Sequence, residues 1–175
     1  MIRAAALALV VTLGAAACIS GGGGTAARGA AVNTAAPLFT THDLDDNKVA
    51  LREFRGNLVV LNFWASWCTP CRREFPVLAQ AATRDHVVVL GVVYNDTVDN
   101  AKQFMRDHGG TWPALKDDGQ IAKAYRVGPG IPATIVIGPT GRVLVRHIGE
   151  VRAVADVVPA GATSRSPTTS TATSG

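Results

Sequence analysis

The chain has 175 residues, 17 of them Lys or Arg against 13 Asp or Glu, for a formal net charge of +4. That length holds one domain with a core of its own once the ends are set aside, and no basic block is long enough to argue for a nucleic-acid partner. Three cysteines, Cys18, Cys68 and Cys71, are too few for a structural disulfide framework.

Met1-Ile2-Arg3 followed by the apolar stretch Ala4 to Ala17 has the form of a signal peptide, expected over residues 1–17. The run is too short and too Ala-rich for a permanent span. Ala15-Ala16-Ala17-Cys18 fits two readings. As a lipobox it makes Cys18 the lipidated first residue of a bacterial lipoprotein; as an A-x-A site it gives ordinary cleavage and a free thiol. The first reading is preferred, although Ala15 stands where lipoboxes usually carry Leu. Residues 18–36, rich in Gly, Ala and Thr, then read as a lipid-anchored flexible linker.

The domain is expected over residues 37–160. Phe39 to Asp43 and Lys48 to Leu51 form short strands across the turn cluster Asp45-Asp46-Asn47. Leu58 to Phe63 is an almost continuous apolar run, the mark of a buried central strand. Cys71 to Thr83 has helical spacing, with Phe75, Leu78 and Ala82 on one side and Pro76 as an internal kink. Val87 to Val93 is a second buried strand, and Val98 to His108 an amphipathic helix closed by Gly109-Gly110. Gln120 to Tyr125 gives two helical turns. Gly128 to Pro132 is a rigid loop leading into the strand Thr134 to Ile137, and Pro139-Thr140-Gly141 turns the chain into a last strand, Val143 to Ile148. Val151 to Val158 reads as a short terminal helix. Residues 161–175, Ser/Thr-rich and without periodicity, read as a disordered tail. Strands alternating with helices and closing on a hairpin imply an α/β fold with a mixed sheet covered on both faces.

The chemistry lies in Trp67-Cys68-Thr69-Pro70-Cys71, a C-x-x-C pair between a strand and a helix. A sulfur at a helix N-terminus meets free backbone N–H groups and the positive end of the macrodipole, which favour a thiolate. Only the thiolate attacks disulfides, so Cys68, exposed at the helix start, is the expected nucleophile and the buried Cys71 its resolving partner. Pro70 at the start of a helix costs no hydrogen bond. Trp67 is expected to shield one side of the sulfur and leave the other open to a protein substrate. A C-x-x-C is also half a zinc site. No second cysteine pair follows, and His42, His86, His108 and His147 lie at no ligand-like spacing, so no metal is expected. Arg72 and Arg73 read as a solvated face.

Phe63 to Cys71, Glu74-Phe75-Pro76, and Ile131-Pro132-Ala133-Thr134 before a strand and a Pro-x-Gly turn together carry a resemblance. Over roughly residues 37 to 149 the chain resembles the TlpA/ResA-like thiol–disulfide oxidoreductases, membrane-tethered bacterial proteins of the thioredoxin superfamily. The resemblance implies a thioredoxin-like fold, a central mixed β-sheet flanked by helices with an added N-terminal β-hairpin. It implies that Pro132 is a cis-proline facing the disulfide, with the Ile131 backbone presented to a bound peptide. It also implies that Glu74, three residues after Cys71 on the same helical face, tunes the sulfurs or relays a proton. Burial would raise its pKa towards neutrality. The bland alternative is an exposed helix glutamate paired with Arg72 or Arg73. Thioredoxins proper carry a buried Asp where this chain has Asn62. Asn cannot take the proton, so that task passes to Glu74 or to water.

The resemblance further implies a monomer on the extracytoplasmic face of the cell envelope, with no cofactor beyond the Cys68–Cys71 couple. Its partners would be a protein disulfide such as that of apocytochrome c and a membrane thiol-reductant donor. The Thr-Pro pair between the cysteines lacks the His of strong oxidants, which favours a reductant over a disulfide-forming oxidase. A peroxiredoxin-like peroxidase would want Thr or Ser three residues before its cysteine, where Cys68 has Ala65. A copper-delivery module would want one more residue between the cysteines and a distal His.

Overall fold

Two apolar runs occupy the centre of the molecule. In the computed structural model, which describes residues 31–162, they are the parallel strands β3 (Leu58–Trp64) and β4 (Val87–Val93), paired from Leu58–Val87 to Trp64–Val93. β1 (Thr40–His42) and β2 (Lys48–Ala50) form the separate antiparallel hairpin expected before them. Its turn is tied by Asp43, whose Oδ1 accepts from the amides of Asp45 and Asn47. α1 (Thr69–Ala82) follows β3 and continues unbroken through Pro76. α2 (Val98–Asp107) follows β4, with Thr97 Oγ1 capping its N-terminus by accepting from Asn100 N at 3.2 Å. β5 (Ala114–Leu115), α3 (Gln120–Ala124), β6 (Ala133–Ile137) and β7 (Val143–Ile148) complete the order.

The five-stranded sheet runs β5-β4-β3-β6-β7. β5, β4 and β3 are parallel, β6 is antiparallel to β3, and β7 is antiparallel to β6. This is the thioredoxin-like arrangement with an extra N-terminal hairpin. Because side chains alternate along a strand, β3 feeds two cores. Leu58, Val60 and Trp64 pack under α1 and α2 with Phe75, Leu78, Phe104 and Met105. Val59, Leu61 and Phe63 pack on the other face with Leu51, Ile121, Ala122 and Tyr125. In β4, Gly91 lets the Trp64 indole lie flat on the strand: a Cβ there would come within 2.6 Å of Trp64 Nε1.

Three expectations need correction, and one strand is added. Val151 to Val158 is not a helix but a single 3-10 turn, Val154–Asp156. The turn is closed by i to i−3 bonds, Asp156 N to Ala153 O at 3.0 Å and Val157 N to Val154 O at 3.1 Å, and Pro159 has no amide to carry a ladder further. β5 is the added strand: its two residues carry no periodic signal, and the pairs Gly91–Ala114 and Val92–Leu115 with β4 make it one. Leu51 opens a 3-10 turn, Leu51–Phe54, rather than ending β2. Residues 33–36, inside the stretch read as linker, are bonded to the start of β7: Val143 N donates to Thr34 O at 2.9 Å and Ala36 N to Gly141 O at 2.9 Å. Cys18, the signal peptide and the tail from residue 163 lie outside the described residues.

Candidate active site

β3 delivers the chain to the site from within the core, and a tight turn reverses it: Cys68 N donates to Ala65 O at 3.1 Å. The loop after β4 holds this turn from the side. Ser66 N donates to Asp96 Oδ2 at 2.6 Å, and Trp67 Nε1 donates to Asn95 O at 3.1 Å. Pinned by that bond, the Trp67 ring stays 58% exposed beside the cysteines.

Cys68 is the N-cap of α1, in extended conformation, and its Sγ accepts from Cys71 N at 3.2 Å. The two cysteines form a disulfide with their Cα atoms 5.3 Å apart. Cys71 is fully buried, as expected. Cys68 is not the exposed residue the sequence suggested, being only 4% accessible. The disulfide draws its sulfur back over the first turn of α1 towards Cys71, and both residues count among the core packed with Trp64 and Phe75.

Pro132 enters the same end of the sheet, since the next residue, Ala133, pairs with Phe63 near the end of β3. The Ile131-Pro132 peptide bond is cis. Pro132 O accepts from Gly149 N at 2.9 Å, which anchors the loop to the end of β7. The N–H and C=O of Ile131 have no backbone partner among the described residues.

Glu74, one turn beyond Cys71, is completely buried. The bland alternative of an exposed, Arg-paired residue is thus set aside. Arg73 instead reaches Glu150, with Nη2 2.6 Å from Oε2. Glu74 Oε1 accepts from Asn62 Nδ2 at 2.7 Å, and Oε2 accepts from Val151 N at 2.9 Å. Burial pushes its pKa up to about 7, helped by the nearby Glu150 carboxylate and opposed by the Val151 and Asn62 hydrogen bonds.

The site also contains groups that sequence reasoning did not place there. Asn62, marked only for what it cannot do, is buried against Glu74 and donates as well to Thr134 Oγ1 at 3.0 Å. Its polarity inside an apolar strand was a signal, but its partners are 12 and 72 positions away. Thr134 and the Val151 amide carried no signal at all. Among the described residues no group of three or more His, Cys, Asp or Glu could hold a metal ion. An open groove of about 480 Å³ lined by Pro37, Phe39, Lys116 and Tyr125 includes none of Trp67, Cys68, Cys71, Glu74, Ile131 and Pro132.

Comparison with known proteins agrees with this geometry. Residues 32–146 match the AhpC/TSA family. The chain is 34% identical to the thiol-disulfide oxidoreductase ResA of Bacillus subtilis over 113 residues, 62% of this chain and 63% of that protein. It is 36% identical to ResA of Geobacillus thermodenitrificans over 117 residues, 65% of this chain and 67% of that protein. Among solved structures, a thiol:disulfide interchange protein of the thioredoxin family from Chlorobium tepidum superposes with a TM-score of 0.64 at 28% identity, covering 72% of this chain and 92% of that one. The fold, the disulfide at the head of α1 and these likenesses agree: the chain belongs to the AhpC/TSA family, as a thioredoxin-like thiol–disulfide oxidoreductase of the ResA kind.

Proposed function

We propose that this protein reduces protein disulfides outside the cytoplasm, tethered to the membrane by a lipid on Cys18. The observation that carries the redox reading is Cys68 as N-cap of α1 with Cys71 buried beneath it. Reduced Cys68, as thiolate, attacks one sulfur of a substrate disulfide, forms a mixed disulfide and releases one substrate thiolate. The Cys71 thiolate then attacks Cys68 Sγ, closes the Cys68–Cys71 disulfide and releases the second. Two electrons leave the couple for the substrate, and the two thiol protons end on the substrate sulfurs. A membrane thiol donor restores the dithiol by the reverse exchange. No cofactor beyond the couple is required.

Glu74 is the proton-handling group in this scheme, because Asn62 cannot titrate and a carboxyl with a pKa of about 7 can trade protons with a thiol near neutral pH. Trp67 and Ile131 bind substrate, the first by its open ring and the second by backbone groups left free for an extended peptide, with Pro132 setting the loop between them and the sheet. The substrate class is an envelope protein disulfide, the cysteine pair of an apocytochrome c among the candidates.

Equilibration against a glutathione or dithiothreitol series tests the direction. The Cys68–Cys71 couple is expected near thioredoxin's roughly −270 mV, and a value above about −180 mV moves the function to disulfide formation. Detergent partitioning of the full-length product tests the anchor. Cys18→Ser releases the protein to the soluble fraction, whereas equal solubility of both forms means plain secretion.

A further inference from the structure

The face of the sheet beneath α1 is apolar at Leu58, Val60, Trp64 and Val136. One cross-strand row breaks it: Asn62 on β3, paired with Thr134 on β6, itself paired with His147 on β7. Asn62 and Thr134 are completely buried in that row, and Glu74 comes down on it from α1.

Both oxygens of Glu74 face donors, Asn62 Nδ2 at 2.7 Å and Val151 N at 2.9 Å. That is the complement of a carboxylate, not of a carboxylic acid. If Oε1 takes a proton, its new O–H points at an NH2 group and donor meets donor. The Val151 amide cannot become an acceptor. Asn62 can, because its Oδ1 is buried without a hydrogen-bond partner among the described residues, and a half-turn of the amide exchanges Oδ1 for Nδ2. Thr134 suits either orientation. Its Oγ1 accepts from Nδ2 at 3.0 Å as the amide now stands, and its hydroxyl hydrogen can donate to Oδ1 after the turn.

We propose that Asn62 is the positioning residue of Glu74: its side-chain amide turns over as Glu74 gains or loses a proton, with Thr134 as its partner in both orientations. The inference rests on the reading of Glu74 as the proton-handling group. It gives Asn62 a task in place of the one it cannot perform. A buried donor facing a donor is expensive, and a turning amide keeps the Glu74 contact matched on both sides of the proton transfer, with the partnerless position held by Oδ1 before the turn and by Nδ2 after it.

The charged and titratable groups around Glu74 are few. On α1 they are Cys71 and Arg73, and on β7 His147, whose Nε2 lies 3.1 Å from Glu150 O. In the loop beyond β7 are Glu150, bridged by Arg73 at 2.6 Å and by Arg152 at 3.9 Å, and Asp156, bound to the Arg152 and Ala153 amides. None of these supplies a hydrogen-bond acceptor to Glu74 Oε1; Asn62 is its only partner among the described residues.

The test is a nuclear magnetic resonance titration of the oxidised full chain from pH 5 to 9, in which Cys68 and Cys71 do not titrate. The Glu74 carboxyl carbon reports its proton, and through-space contacts from the Asn62 amide protons report the amide. Contacts from those protons to the Glu74 and Thr134 side chains are expected at pH 9 and lost at pH 5, with the midpoint of the Glu74 carbon. Asn62→Leu removes a partner from both forms of Glu74, and because the hydrogen bond to the charged form is the stronger one, the midpoint is expected to rise by less than about one pH unit, while Thr134→Ser leaves it in place. Amide contacts of equal strength at both pH values, with Glu74 titrating, overturn this proposal alone. If Glu74 shows no titration over the range, its proton-handling role and this inference fall together.

Discussion

Arg73 and Glu150 join at the surface what Glu74 and Val151, their neighbours in sequence, join in the core. Arg73 Nη2 lies 2.6 Å from Glu150 Oε2 and Arg73 Nε donates to the same oxygen at 2.7 Å, while Val151 N donates to Glu74 Oε2 at 2.9 Å. The loop after β7 is thereby fastened twice to the first turns of α1, once by a solvated ion pair and once by a buried hydrogen bond.

The ion pair sets part of the charge that Glu74 feels, since Glu150 pushes the Glu74 pKa up and Arg73 neutralises Glu150. Glu150→Gln is expected to lower the Glu74 midpoint, and Arg73→Ala to raise it. The carboxyl-carbon titration of the oxidised protein reads both. High salt should shrink both effects, because the pair is exposed enough to be screened.

Glu74 also makes stability depend on pH. Its folded pKa of about 7 lies above the ordinary 4.5, so the folded state holds this proton more tightly than the unfolded chain does. Stability from this group is full below about pH 4.5, declines as pH rises to about 7 and is level above it. The whole decline is worth about 3 kcal/mol. Glu74→Gln should remove that slope and be the more stable form at pH 8 in urea unfolding, while slowing disulfide exchange and flattening the pH profile of Cys68 alkylation. Superimposed alkylation profiles would return Glu74 to a purely structural role.

Reduction separates the two cysteines. Cys71 is sealed and Cys68 keeps the only opening of the pair, a 4% one, so Cys68 is expected to react first with iodoacetamide. Cys71→Ser should accumulate mixed disulfides through Cys68, and Cys68→Ser should accumulate none. Faster alkylation of Cys71 would reverse the assigned roles.

Gly91 is expected to tolerate no side chain. A Cβ there meets Trp64 Nε1 at 2.6 Å and Trp112 Nε1 at 3.2 Å, and Trp64 has no room to retreat between Phe75 and Phe104, with ring centroids 5.4 and 4.9 Å away. Gly91→Ala should lose about 1–3 kcal/mol, seen as a lower urea midpoint at unchanged slope. Because Trp64 leads into the Ala65–Cys68 turn, the same change should alter the rate of Cys68 alkylation.

Most of the architecture was legible because its determinants are local. Leu58 to Trp64 and Val87 to Val93 are strands wherever a core can cover both faces, and Asp43 to Asn47 turns by its own side-chain bonds. The C-x-x-C pair at the head of a helix is likewise written in four consecutive residues, with Cys68 as cap and Pro70 inside the first turn. Elements resting on distant partners were not legible. β5 exists through its pairing with β4, and Asn33 to Ala36 hold their place through β7.

The chain's order of residues by itself determined the two central strands, the hairpin turn and the C-x-x-C pair at the head of α1, since helix capping, spacing and apolar periodicity act over a few residues. Only the tertiary structure decided what surrounds Glu74. Asn62 is 12 positions away from it and Val151 is 77. Asn62 and Thr134, 72 apart, are joined by strand register. No local pattern says which of the chain's carboxylates will be carried into the core and closed in by donors. That depends on where α1 comes to rest on the sheet, and packing alone sets it.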